Sequence, residues 1–102
     1  MARNLTDGIM RARFRQSQAE QKLLAPGQVT EFKIDMWNTS NVFQAGHRIR
    51  LEVSSSNFPR FDRNPNTGRD QFADAELRPA LQTIMHDHSS ASHVTLPVVA
   101  RR

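Results

Sequence analysis

Ala45-Gly46-His47-Arg48-Ile49-Arg50-Leu51-Glu52-Val53-Ser54-Ser55-Ser56 is the stretch on which the fold class turns. His47, Ile49, Leu51 and Val53 alternate with Arg48, Arg50 and Glu52. Successive side chains of a strand point to opposite faces, so a period of two describes a half-buried β-strand. Ala45-Gly46 in front of it is a turn signal, and the serine run behind it is where the pattern dissolves. Upstream the pattern repeats. After the turn signal Pro26-Gly27, Thr30, Phe32, Ile34 and Met36 alternate with Glu31, Lys33 and Asp35. Earlier still, Met10, Ala12 and Phe14 alternate with Arg11, Arg13 and Arg15, which predicts a strand over 9–15. Residues 81–85 and 93–99 add two candidates; Pro97 has no N–H for a ladder, so the last is an edge strand or begins a bend. Strands separated by turn signals fit an antiparallel sandwich or barrel-like fold, and the class is all-β.

Two stretches break the alternation. Residues 16–25 include the helix-tolerant run Ala19-Glu20-Gln21-Lys22-Leu23-Leu24, too short to stand alone, and read as a connection. Residues 57–69 hold two Pro, one Gly and three Asn and read as a long ordered loop. Residues 70–78 allow a helical turn or two before Pro79 stops them. Gly8, Gly27, Gly46 and Gly68 are spaced like turns between strands, and no internal repeat is present.

A chain of 102 residues fits one domain over 1–102 with a modest core. With no cysteine, disulfide scaffolds, thiol nucleophiles, iron–sulfur clusters and thiolate zinc sites are excluded. No apolar run approaches the roughly 18 residues of a membrane span or the 7–15 of a signal peptide, so a soluble cytoplasmic domain is expected, with no membrane partner. Fourteen basic residues against 10 acidic ones give +4, and the excess is almost wholly arginine. Most arginines are interleaved with acids, which argues for a solvated or salt-bridged face and against nucleic acid. Arg11, Arg13 and Arg15 are the undiluted set.

The chemistry of a self-contained active site is missing. Four glycines cannot write a nucleophile elbow, a dinucleotide fingerprint or a phosphate-binding loop. Ser54-Ser55-Ser56 lacks the flanking glycines of a nucleophile, and Asp70, Asp74 and Glu76 read as solvated. His86-Asp87-His88 with His93 has a metal-like spacing, but a third ligand cannot be named, so a polar turn is the plainer reading. Asn4-Leu5-Thr6 and Asn38-Thr39-Ser40 are chance sequon matches. Trp37 and Phe43 flank Asn38-Thr39-Ser40-Asn41 and could stack on a sugar or a base; the plainer reading makes both core aromatics bracketing a turn. No catalytic, cofactor or metal residue is assigned.

One long set of blocks is more distinctive than any of these motifs. It begins Asn4-Leu5-Thr6-Asp7-Gly8-Ile9-Met10-Arg11-Ala12-Arg13-Phe14-Arg15 and continues through Leu24-Ala25-Pro26-Gly27 and Ile34-Asp35-Met36-Trp37-Asn38-Thr39-Ser40. It then runs from Phe43-Gln44-Ala45-Gly46-His47 through Ser54-Ser55-Ser56-Asn57-Phe58-Pro59-Arg60-Phe61-Asp62-Arg63-Asn64 and closes on Thr83-Ile84-Met85-His86-Asp87. Over nearly the whole chain this resembles the C-terminal domain of the Xaa-Pro dipeptidyl-peptidase and cocaine-esterase-like serine hydrolases, which also include glutaryl and amino-acid ester acylases. The resemblance implies a non-catalytic jelly-roll, galactose-binding-like β-sandwich, of which this chain keeps roughly the second half. It implies that the Ser-Asp-His triad sits in a separate α/β-hydrolase domain, and no catalytic position carries over.

A jelly roll has about eight strands in two packed sheets. Half of one uncovers apolar faces, here Met10, Phe14, Phe32, Ile34, Ile49, Leu51 and Val53, and each large side chain left uncovered forfeits about 1.5–3 kcal/mol. The expected partners are therefore a second copy of the chain, as a homo-oligomer, or the catalytic remainder of the hydrolase. Phe58, Arg60, Phe61, Asp62 and Arg63 form the expected contact loop, locked by an Arg60–Asp62 pair. The rival function is a ligand-binding module, with Trp37 and Phe43 for carbohydrate or the arginine face for a polyanion.

Overall fold

The computed structural model describes residues 1–100; the last two positions of the expected 1–102 domain lie outside the described residues. The chain divides into two units, Met1–Arg50 and Leu51–Arg102. Among the described residues, helix is confined to one 3-10 turn, Ala12–Phe14, and no helix is long and apolar enough to cross a membrane.

That turn corrects the strand expected over 9–15. Phe14 N donates to the Arg11 carbonyl at 2.9 Å and Arg15 N to the Ala12 carbonyl at 3.3 Å. The Arg15 guanidinium closes the same turn, Nη1 donating to the carbonyls of Ala12 at 2.9 Å and Lys22 at 2.5 Å. Backbone donors must find acceptors, and where no neighbouring ladder offers them a local i to i+3 bond does. Lys22 N donates back to the Arg13 carbonyl at 2.8 Å, so the expected connection 16–25 returns onto this turn.

The two glycine turns form where the sequence puts them. Gln28 N donates to Ala25 O at 3.2 Å around Gly27, φ 76, and His47 N to Gln44 O at 3.1 Å around Gly46, φ 84. A positive φ at the third residue is what a type II turn requires. Gly8 has another role than the turn expected of it. A Cβ there would stand 2.2 Å from the Asp35 carbonyl oxygen and 2.9 Å from Ile34 Cγ2. The approach belongs to an antiparallel juxtaposition of residues 5–8 with 34–39. The Thr6 hydroxyl donates to the Met36 carbonyl, and the Thr39 hydroxyl to Leu5 O at 3.3 Å.

The remaining expected strands, 30–36, 47–53, 81–85 and 93–99, form no named ladder among the described residues; one antiparallel bridge, His86 to Ala91, stands at the turn between the last two. The structure is thus nearly free of helix and low in strand. Alternation dictates which side chains share a face, but a ladder needs backbone bonds to a neighbour, and even where residues 5–8 lie beside 34–39 the bonds made are from side chains. Residues 70–78, expected to be helical, hold one turn, with Ala73 N on Asp70 O at 3.2 Å.

The expected modest core is likewise not formed. No hydrophobic side chain is buried among the described residues; Phe32, Ile34, Ile49, Leu51 and Val53 are 39–58% exposed. The accessible surface is 10152 Å² for 11.6 kDa. Surface scaling gives roughly 5,800 Å² for a folded monomer of this mass and about 16,800 Å² for the unfolded chain. The chain buries about 40% of its unfolded surface, where even a domain of ~60 residues buries about 60%.

Candidate functional site

Three surfaces carry organised side chains, one in the first unit and two in the second. In the second unit, the expected contact loop is built from rings and guanidinium groups. Phe61 N donates to the Asn57 carbonyl at 3.1 Å and folds the chain back on itself. The Arg63 guanidinium then lies 4.1 Å from the centroid of Phe58, and that of Arg60 5.5 Å from the centroid of Phe61. Phe58 remains 56% exposed. Cation–π contacts at exposed sites contribute about 0.5–1 kcal/mol each. Truncating Arg63 to Ala is therefore expected to cost the unit no more than about 1 kcal/mol, read by chemical denaturation, while freeing the Phe58 ring, read by faster ring-proton relaxation.

The same unit holds a polar clip over residues 65–78, which sequence reasoning missed. Arg78 N donates to Pro65 O at 2.9 Å and the Asn66 side-chain amide to Arg78 O at 3.0 Å, tying the two ends together. Inside it the Thr67 hydroxyl donates to Asp74 Oδ2 and Glu76 N to Asp74 Oδ1 at 3.1 Å. Arg69 reaches Glu76 at 2.7 Å and Asp74 at 3.7 Å, while Arg78 reaches Glu76 at 2.6 Å. Asp74, expected to be solvated, has a side chain only 6% exposed. The Thr67 hydroxyl first, then the Glu76 amide, and the nearby Arg69 and Arg78 charges hold its carboxyl below the usual 3.8. Glu76 in turn raises the pKa of Arg78. A carboxyl lowered by folding stabilises the fold above its unfolded pKa and loses that contribution as pH falls through the folded one. The clip is expected to stay closed from neutral pH to below 3.8 and to open only in stronger acid. An NMR titration of the Asp74 carboxyl carbon reads this; a midpoint at or above 3.8 contradicts it.

The histidine motif lies beside a hydrogen-bonded turn. Asp87 Oδ1 accepts from Ser89 N at 3.0 Å, the Ser89 hydroxyl at 2.8 Å and Ser90 N at 2.8 Å, and these bonds, the Ser89 hydroxyl's the largest, lower its pKa. His93 Nδ1 lies 2.7 Å from Ala91 O. Among the described residues no three His, Asp or Glu stand together as a metal centre needs. The Ser54 hydroxyl donates to Ser56 O at 2.8 Å, a local bond within the serine run.

The first unit presents Trp37. The plainer expectation buried Trp37 and Phe43 as core aromatics, yet they are 76% and 45% exposed. Trp37 has a φ of 60, left-handed backbone that costs a bulky residue roughly 1–2 kcal/mol. Its surroundings hold it there. Asp35 Oδ1 accepts from Trp37 N at 2.8 Å, Thr6 and Thr39 tie the flanking backbone, and Gly8 packs against Asp35. Elsewhere in this unit a groove of ≈ 440 Å³ is lined by Ile9, Met10, Phe14, Arg11, Arg15 and the polar run 16–18. Within the groove wall the Arg15 Nε–H is buried without an acceptor.

Comparison with known proteins adds three findings. The family described as X-Pro dipeptidyl-peptidase C-terminal non-catalytic domain matches residues 1–95. The protein named cocaine esterase from Rhodococcus sp. (strain MB1 Bresler) is 45% identical over 101 residues, which cover 95% of this chain and 17% of that protein. No solved structure matches.

Proposed function

The chain belongs to the X-Pro dipeptidyl-peptidase C-terminal non-catalytic domain family, and from that premise we propose that it is a β-sandwich module that docks on, stabilises or oligomerises a serine hydrolase whose catalytic residues lie outside it. The observation that carries this reading is the uncovered apolar surface. Alternating stretches such as 30–36 and 47–53 hold Phe32, Ile34, Ile49, Leu51 and Val53 open to water. Their backbones form no named ladder among the described residues. Both deficits are met at once when strands from outside this segment pair with these edges and their side chains cover the faces. The jelly-roll sandwich is then completed on assembly, in the cytoplasm, by the hydrolase or by a second copy.

The loop 57–63 is the surface we assign to the hydrolase side. Its guanidinium-on-ring contacts make it stiff before binding, which lowers the ordering cost of docking. We also assign Arg60 and Asp62 a coupled role in it. Single and double alanine variants at these positions measure that coupling, and a coupling energy of zero removes the pair.

Exchanging the matching segment of the Rhodococcus esterase for this chain tests the functional reading. The chimera is expected to fold and to hydrolyse that enzyme's ester with unchanged kcat/KM, because the module supports the catalytic part without touching substrate. The isolated chain is expected to turn over no nitrophenyl ester. A chimera that folds with altered substrate preference, or esterase activity in the isolated chain abolished by Ser54, Ser55 and Ser56 substitutions, contradicts the proposal.

A further inference from the structure

Among the described residues, most positions with a positive φ hold a residue suited to it. Gly27, Gly46 and Gly68 carry no Cβ, and asparagine, as at Asn66, tolerates the left-handed region. Trp37, at φ 60, is the exception. A bulky side chain there works against the fold, and a strained residue that its surroundings hold in place points to function. The indole returns nothing by packing, since Trp37 is 76% exposed. Yet the Thr6 and Thr39 hydroxyls, the Asp35 carboxylate and the close approach at Gly8 all fix this turn. The result is a large flat ring presented to solvent on a backbone set before any ligand arrives, which lowers the ordering cost of binding one.

The residues around the ring name the chemistry of the ligand. The chain has 14 Lys and Arg, but residues 34–46 contain none, and their one acid, Asp35, already accepts from Trp37 N. No side chain in this stretch can pair as a cation with a phosphate or a sulfate. What stands beside the ring is neutral: Asn38, Ser40 and Asn41 are exposed and take no part in the brace. Amides and hydroxyls both donate and accept, which matches the hydroxyl groups of a sugar. The electron-rich face of the indole suits the C–H bonds on the flat side of a pyranose. We propose that Trp37 is a stacking platform for a neutral β-linked glucan, whose equatorial hydroxyls leave its ring faces apolar, with Asn38, Ser40 and Asn41 hydrogen-bonding the hydroxyls at its rim. This inference goes beyond the function proposed above and stands independently of it: the same module then holds its hydrolase at a polysaccharide.

Trp37 is the single tryptophan and the chain has no tyrosine, so its emission reports this site alone. Titration of cellohexaose into the full-length chain is expected to shift the emission to shorter wavelength, saturably, and to reduce acrylamide quenching. Heparin and single-stranded poly(dA) are expected to leave it unchanged. By calorimetry, Trp37→Ala is expected to weaken cellohexaose binding at least about tenfold, the order lost when a stacking ring is removed. Asn38→Ala combined with Asn41→Ala is expected to weaken it as well, without changing the emission of the free chain. Trp37→Gly separates binding from folding. Glycine suits φ 60, so the denaturation midpoint is expected to hold or rise while cellohexaose binding is lost. No response to cellohexaose overturns the proposal, and if the emission then shifts only as the chain is concentrated, the occupant is a protein. An equal or larger response to poly(dA) overturns it in favour of a nucleobase. A Trp37→Gly chain that unfolds also overturns it, because the ring would then serve the fold.

Discussion

Replacing Gly8 with valine is expected to destabilise the Met1–Arg50 unit by about 1–3 kcal/mol, the usual cost of forcing extra atoms into a packed position. The new Cβ falls 2.2 Å from the Asp35 carbonyl oxygen, and a backbone atom cannot swing aside as a flexible side chain would. Residues 5–8 must leave 34–39, and the bonds from Thr6 to Met36 and from Thr39 to Leu5 go with them. Trp37 then loses the brace that holds its φ at 60. Fluorescence anisotropy of the single tryptophan should fall in the variant, together with the denaturation midpoint. Unchanged anisotropy and midpoint would mean that the close approach at Gly8 does not hold the Trp37 turn.

Leu51→Asp and Val53→Asp are expected to have an opposite pattern of effects. Both side chains are exposed in the chain by itself, at 50% and 56%, so a carboxylate there costs the isolated chain little. In an assembly that covers this face, each substitution forfeits about 1.5–3 kcal/mol of apolar burial, a tenfold to hundredfold loss of association for each residue before the cost of a buried charge is added. The measurement is the dissociation constant beside the far-ultraviolet circular dichroism of the dilute variants. Association surviving both substitutions would place this face outside the assembled surface.

Parts of this architecture were legible in the sequence, and the reasons differ from part to part. The turns at Gly27 and Gly46 were readable because a dipeptide specifies them: only a residue that tolerates positive φ serves, and Pro26 and Ala45 precede the glycines. The apolar faces were readable because alternation is local. What alternation cannot supply is the neighbour, so stretches 30–36 and 47–53 were expected as paired strands and stand without a ladder. At residues 9–15 the local competitor won. Arg15, read as one member of an outward arginine face, instead bonds the Ala12 carbonyl and tightens a 3-10 turn.

The missed surfaces were missed for a related reason. The brace around Trp37 joins residues 30 or more positions apart, as Thr6 with Met36 and Leu5 with Thr39, and nothing in either segment names the other. In the 65–78 clip the charges of Arg69, Asp74, Glu76 and Arg78 were all visible. Interleaving of opposite charges describes a solvated face and a closed network equally well, and the Thr67 hydroxyl that donates to Asp74 carries no charge to betray it. The family, by contrast, was legible in long contiguous blocks running through nearly the whole chain.

The central claim is that the apolar faces of this segment are covered only by strands from outside it. Light scattering behind size exclusion, run on the unaltered chain over a series of concentrations, tests it most directly. The account predicts a discrete assembly, with a dimer as the first species, and dissociation on dilution into a form that binds an apolar dye. A folded monomer at every concentration, with no dye binding, would contradict it, because the apolar faces inferred to be open would then be covered within the single chain.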